Sequence, residues 1–239
     1  MSQVAFITGA DRGLGLALTT QLLDQGWRVI AGQYLPGWPE LTELAARYPE
    51  QLTTVPLDVS SRYSVRAAAE MIGALTDRID LLISNAGVNS RTSPRTIHEE
   101  QDYDEMRRLY EVNALGGLRV VEAFLPLLDR GTLKRLCFVS SEAGSIERAY
   151  RTSWFGYCMS KAAINMAVKL LFNDLRPQGY SFRLYHPGWV RGYLSGTKNV
   201  QASLEPEEAA VPALAHFLGE RDDEDQLAMY DWEGKRWPW

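Results

Sequence analysis

The chain has 239 residues, which fits one large α/β domain or two small ones, and 46% of them are hydrophobic, enough for a sizeable core. Its formal net charge of −5 argues against nucleic acid or an anionic membrane as partner, because those leave a basic patch. No apolar stretch approaches the ~18 residues of a membrane span, the two cysteines (Cys137 and Cys158) make no disulfide framework, and a strand-like run directly follows Met1-Ser2-Gln3, so a cytoplasmic protein without a signal peptide is expected.

Strand and helix signals alternate along the whole chain. Val4-Ala5-Phe6-Ile7 reads as a short buried strand ending in a glycine-rich turn. Leu14 to Leu23 is apolar at helical spacing and stops at Gly26. Arg28 to Ala31 is a second strand, Leu41 to Tyr48 a short helix, and Leu52 to Leu57 a third strand followed by Asp58. Val65 to Leu75 is helical, and Leu81-Leu82-Ile83 is a fourth strand. Residues 88–101 read as a loop, and one long helix is predicted from Tyr103 to Leu128. Leu136 to Val139 is a fifth strand, Tyr157 to Leu175 a strong helix, and Phe182 to Tyr185 a sixth strand. Glu205 to Leu218 is a last helix, with a final strand within 226–230. The acidic run Asp222-Asp223-Glu224-Asp225 reads as a solvated turn. This alternation predicts α/β, a doubly wound parallel sheet with helices on both faces.

Thr8-Gly9-Ala10-Asp11-Arg12-Gly13-Leu14-Gly15 lies between the first strand and the first helix. Its glycines permit a tight turn and close approach of a ligand, and the helix N-terminus attracts phosphate. The spacing resembles the Thr-Gly-x-x-x-Gly-x-Gly pattern of the short-chain dehydrogenase/reductase family. Asp58-Val59 after the third strand and Asn85-Ala86-Gly87 after the fourth stand where that family contacts adenine and cofactor ribose. An N-cap for the next helix is a second reading of Asp58.

Tyr157-Cys158-Met159-Ser160-Lys161 resembles the family's Tyr-x-x-x-Lys. Residues four apart share a helix face. A free tyrosine has a pKa of about 10. An ammonium about 4 Å away would favour phenolate by about 4 kcal/mol at an effective dielectric of about 20, bringing Tyr157 toward neutral pH. A bound nicotinamide would push the same way. The resemblance implies that Ser141 holds the substrate oxygen, with Ser145 a second candidate because the loop to Tyr157 is longer than in many members. It also implies that Asn113 holds a water linking Lys161 to solvent. His186-Pro187-Gly188-Trp189-Val190 resembles the family's Pro-Gly turn under the nicotinamide, with the Val190 backbone on the carboxamide. Gly192 stands where a Thr is usual; Ser195 or Thr197 is the candidate substitute. The C-terminal tail, with Trp232, Trp237 and Trp239, is similar to that of carbonyl-reductase-like and C-signal-like members and reads as packing on the body or a partner subunit. His186 reads as structural.

The resemblance therefore implies a single Rossmann-type NAD(P)-binding domain over 1–239 with a substrate loop at about 190–204, in a carbonyl/alcohol oxidoreductase. Catalysis is assigned to Asn113, Ser141, Tyr157 and Lys161. Cofactor binding is assigned to Gly9, Arg12, Gly13, Leu14, Gly15, Asp58, Val59, Asn85, Ala86, Gly87, Tyr157, Lys161, Pro187, Gly188 and Val190, with no metal. The second strand is followed by Gly32, Gln33 and Tyr34, with no carboxylate to repel a 2′-phosphate. Arg12 is basic, so NADP(H) is expected over NAD(H). Tyr150, Trp154, Trp189 and Tyr193 are candidates for an aromatic substrate wall, and Arg91 and Arg95 for an anion-facing mouth. The substrate is expected to be a small carbonyl or alcohol, and the assembly a dimer or tetramer. A dinucleotide-binding signalling or sensor protein with little turnover is the alternative.

Overall fold

The computed structural model describes residues 2–239. One sheet runs through the molecule, with strands β1 (Val4–Thr8), β2 (Arg28–Gln33), β3 (Leu52–Pro56), β4 (Leu81–Ser84), β5 (Arg135–Val139), β6 (Ser181–His186), β7 (Met229–Asp231) and β8 (Arg236–Trp237). They lie in the order β3-β2-β1-β4-β5-β6-β7-β8, and every pairing except β7–β8 is parallel. The helices are α1 (Gly13–Asp24), α2 (Pro39–Arg47), α3 (Arg62–Leu75), α4 (Tyr103–Tyr110), α5 (Gly116–Leu128), α6 (Phe155–Leu175) and α7 (Pro206–Leu218). None is long and apolar enough to cross a membrane among the described residues.

Successive side chains of a strand face opposite sides of the sheet. In β1, Ala5 and Ile7 join a core with Leu18 and Leu22 of α1 and Leu214 and Phe217 of α7. Val4 and Phe6 join a second core with Ile72 of α3, Phe124 of α5 and Val168 of α6. Both faces are covered, which is why the strand reads as a continuous apolar run. From β1 the sheet grows outward through β2 and β3 on one side and through β4 on the other. That reversal opens a crevice at the C-terminal ends of β1 and β4, where open α/β sheets take their ligands.

Four features differ from the sequence reading. The long helix is two helices, α4 and α5, joined by a π-helical turn at Glu111–Leu115 that carries Asn113. Helix α6 begins at Phe155, after Trp154 in left-handed backbone. The final strand is a hairpin: the buried Asp231 accepts from the N–H groups of Glu233 and Lys235 and turns the chain back into β8. Asp58 does not cap α3; Ser61 does, its hydroxyl accepting from Ser64 N.

The acidic run is also not simply a solvated turn. Arg183 projects from β6 into the core with 1% of its side chain exposed, and Glu224 pairs with it through both carboxylate oxygens. Arg183 also donates to the carbonyls of Phe182, His216 and Gly219. Burial pushes the Glu224 carboxyl up, but hydrogen bonding and attraction from Arg183 hold it below its usual range. Removing one partner of a buried pair leaves the other charge uncompensated. Glu224→Gln should therefore lower the unfolding free energy by about 3 kcal/mol, the low end for such a break because Glu224 remains 21% exposed. Because the folded carboxyl titrates low, this contribution is present above the unfolded glutamate's pKa and is lost as pH falls through the folded one. Urea melts at pH 7 and pH 3 check both statements: a gap between wild type and variant that stays the same at the two pH values would refute the ion-pair account.

Candidate functional site

The crevice opens into a cleft of about 1180 Å³. At its floor, Thr8 and Asn85 lock the two sides of the crevice together. Thr8 Oγ1 accepts from the N–H groups of Asn85 (3.1 Å) and Ala86 (2.9 Å). The Asn85 amide donates to the carbonyls of Thr8 and Gly9, both at 3.0 Å. Asn85, expected from sequence beside a ribose, lines the cleft and through Nδ2 also holds the glycine turn; Thr8, quoted in the motif without a role, is its partner in that lock. Gly9 adopts φ +62°, and a Cβ on Gly15 would lie 2.1 Å from the Gly9 carbonyl oxygen. Only glycine lets the turn fold so closely onto α1. Helix α1 starts with no side-chain cap, so the N–H groups of its first turn are left for an external acceptor. Such a cradle fits a pyrophosphate.

Arg12 stands at the edge of this cradle and lines the cleft with Gly13, Leu14, Tyr34, Asp58 and Val59. It does not pair with Asp11, whose buried carboxylate accepts from Tyr34 N at 3.2 Å. The guanidinium carbon instead lies 4.9 Å from the ring centre of Trp38 and 5.0 Å from that of Tyr193. Asp58 Oδ1 accepts from the N–H and hydroxyl of Ser60.

At the other end, Ser141, Tyr157 and Lys161 converge, all buried. Ser141 follows β5, and its Oγ accepts from Ala143 N at 3.2 Å. Tyr157 and Lys161 occupy one face of α6, with the Lys161 ammonium 5.9 Å from the Tyr157 ring centre. Lys161 Nζ donates to the Val139 carbonyl at 3.2 Å. Burial pushes the Tyr157 phenol up to about 12, with hydrogen bonding to Ser141 opposing it. Burial also brings the Lys161 ammonium down to about 8. The sequence-based expectation was a lowered phenol; here desolvation, which disfavours the charged form of each group, shifts the phenol up and the ammonium down.

Asn113 is buried in its π turn, and its side chain is fully engaged. Oδ1 accepts from Val88 N at 2.8 Å, and Nδ2 donates to Val88 O at 2.8 Å and to Ser160 Oγ at 3.0 Å. The amide thereby clamps the strand-end loop against α6. Ser145 Oγ accepts from Arg148 N, and Ser145, unlike Ser141, does not line the cleft. Ser140 Oγ donates to Asn165 and is structural.

Pro187, Gly188 and Val190 line the cleft as expected. The bridge from this segment to Leu204 uses the N–H of Arg191 and the carbonyl of Trp189, so the Val190 N–H is not engaged in it. Gly192 is not forced by crowding, since a Cβ there would meet only the Val190 carbonyl oxygen, at 3.9 Å. Ser195 lines the cleft. Tyr150, Trp154, Trp189 and Tyr193 all reach it, as do Arg91 and Arg95 at its rim. Glu142 and Arg151 form a bidentate pair beside Ser141. Trp232, read from sequence as tail packing alone, lines the cleft; its ring lies 2.9 Å from where a Gly188 Cβ would stand. His186 sits edge-on to Trp232 and Trp237, and burial lowers its imidazole to about 4, so it is neutral near pH 7.

Comparison with known proteins gives one answer. A family model for short chain dehydrogenases matches residues 3–202. The C-signal protein of Myxococcus xanthus is 37% identical over 164 residues, 69% of this chain and 95% of its own. The 1-hydroxy-2-glutathionyl-2-methyl-3-butene dehydrogenase of Rhodococcus sp. (strain AD45) is 34% identical over 213 residues, 88% of each chain. Among solved structures, an NADPH-bound carbonyl reductase from chicken fatty liver superposes with a TM-score of 0.86 at 30% identity, covering 100% of this chain and 99% of that one. With both ends of the cleft built as described and the match running through them, the chain belongs to the short-chain dehydrogenase family.

Proposed function

We propose that the protein is an NADP(H)-preferring oxidoreductase that interconverts a carbonyl and an alcohol, with Tyr157 as proton donor and acceptor. The observation that carries this reading is the convergence of buried Ser141, Tyr157 and Lys161 at the cleft end opposite the glycine cradle. Gly9, Gly13, Leu14 and Gly15 would hold the pyrophosphate, Asp58 and Val59 the adenine side, Ala86, Gly87 and Lys161 the nicotinamide ribose, and Pro187, Gly188 and Val190 the carboxamide. The bound dinucleotide supplies or accepts the hydride.

The chain's own residues manage the proton. A phenol held near 12 keeps its proton at neutral pH and is a donor to a substrate oxygen that gains negative charge. Ser141 Oγ accepts from Ala143 N and its hydroxyl hydrogen-bonds the Tyr157 phenol; a bound substrate oxygen would take that hydroxyl's donation in its place. Lys161, near 8, carries a positive charge at neutral pH and favours proton loss from Tyr157 as the reaction proceeds. The loop at about 190–204 closes the substrate side.

Tyr157→Phe removes only the hydroxyl. It should lower kcat for carbonyl reduction by at least ~100-fold while the NADPH Kd moves less than about threefold. A variant retaining more than about a tenth of wild-type kcat would exclude the role.

The Lys161 ammonium loses its proton as pH rises through about 8. Carbonyl-reduction kcat should be level below that pH and decline above it. Lys161→Met should bind NADPH more weakly and lack this step in its residual pH profile. Persistence of the step in the variant would assign it to another group.

Gly192 supports a second reading, a dinucleotide-binding sensor with little turnover, because no hydroxyl stands there to hold a carboxamide. Space exists for one. If the protein is an enzyme held back only at this contact, Gly192→Thr should raise kcat with a panel of aldehydes, ketones and quinones and tighten NADPH binding. No NADPH oxidation by wild type or variant across the panel would favour the sensor.

A further inference from the structure

At the adenosine end of the cleft, Arg12 is held without a single polar partner among the described residues. No carboxylate pairs with it, and no carbonyl accepts from it, since neighbouring Asp11 is engaged with the Tyr34 backbone. Two aromatic rings hold it instead, Trp38 at 4.9 Å and Tyr193 at 5.0 Å, and these rings meet each other edge-on at 5.3 Å. Attraction to an aromatic face does not consume N–H donors, so all five remain for an anion.

The rings come from distant parts of the chain, and each is anchored. Trp38 directly precedes Pro39 at the start of α2. Tyr193 lies in a loop whose turns are closed by Gly196 N on Tyr193 O (2.9 Å) and Asn199 N on Gly192 O (2.9 Å). The next residue ties that loop across the cleft, Leu194 O accepting from Asn89 N at 2.7 Å. The position after β2, where a second cation would stand, offers none: Gln33 donates its amide to Leu35 O at 2.8 Å, and Tyr34 follows it.

We propose that Trp38 and Tyr193 are positioning residues for coenzyme discrimination: they preset the Arg12 guanidinium so that one cation alone reads the 2′-phosphate. This rests on the reading that NADP(H) is preferred through Arg12. Preorganisation matters here because a flexible arginine loses rotamer freedom on binding, and a held one has already lost it.

The test is a set of Kd values for NADPH and for NADH, measured on wild type, Arg12→Ala, Trp38→Leu, Tyr193→Leu, Tyr193→Phe and the double variant Arg12→Ala/Tyr193→Leu. Circular dichroism confirms that each is folded. Tyr193→Leu and Trp38→Leu should each weaken NADPH about three- to fivefold, the size of an exposed cation–π contact, and change NADH less than twofold. Tyr193→Phe keeps the ring and should behave as wild type. On the Arg12→Ala background, Tyr193→Leu should leave the NADPH/NADH ratio unchanged. If the leucine variants weaken both coenzymes alike, the rings contact the shared adenosine and the proposal is overturned. If Arg12→Ala collapses the ratio while both leucine variants keep it, Arg12 acts unaided and the proposal is again overturned, with the coenzyme reading intact. If wild type shows no preference, or Arg12→Ala preserves one, the coenzyme reading itself has failed and takes the proposal with it.

Discussion

The site depends first on the four hydrogen bonds between Thr8-Gly9 and Asn85-Ala86. They join the ends of β1 and β4 where the strand order reverses, a place where a parallel sheet would otherwise gape. The lock sets the glycine turn on one side and the chain leading to Gly87 on the other. Gly87 borders both Asn113 and Lys161: a Cβ there would lie 3.4 Å from Asn113 Oδ1 and 3.6 Å from Lys161 Nζ. Through Val88, Asn113 carries the constraint on to Ser160 in α6, one position from Lys161. A path of hydrogen bonds and intervening backbone thus runs from the glycine turn to the helix bearing Tyr157.

Burial governs the chemistry of that helix. Helical spacing alone brings an ammonium beside a phenol and suggests mutual stabilisation of the charged pair. The structure places both in a water-poor environment, where each charge loses solvation, and the phenol rises to about 12 as the ammonium falls to about 8. The resting arrangement is a protonated phenol beside a lysine still cationic at neutral pH.

Much of this was legible in the sequence, and the reason differs by residue. The glycine turn is legible because backbone geometry demands glycine at Gly9 and Gly15 whatever surrounds them. The buried strands are legible because two-sided burial requires unbroken apolar runs. Asn113 was found as a residue but not as a clamp, since a π turn inserts one residue into an otherwise ordinary helical pattern and leaves no compositional mark. Glu224 looked like one charge in an acidic surface run. Its partner Arg183 lies 41 positions away in a strand, and only the fold brings them together. The roles of Thr8 and Trp232 were not read for a similar reason: a threonine at a strand end and a tryptophan in a tail have ordinary structural uses, and their contacts here are set by tertiary neighbours. The one signal available for Thr8 was its position directly before the first glycine of the turn.

The loop from Pro187 to Glu205 reaches both ends of the cleft. Near the Ser141–Tyr157–Lys161 group its Gly188 packs on Trp232, and toward the glycine turn Gly192 comes within 3.8 Å of where a Gly13 Cβ would stand. Tyr193 then covers Arg12, and Leu194 crosses to Asn89. Residues that share a loop and its hydrogen bonds do not act independently, so substitutions along this segment are not expected to add. A change that shifts Trp189 in the cleft wall would also move the peptide leading to Tyr193, and with it the ring over Arg12. The identity of residue 192 is not forced by this arrangement: its N–H donates to Val190 O and its carbonyl accepts from Asn199 N whatever the side chain, and a Cβ there would meet only the Val190 carbonyl oxygen, at 3.9 Å.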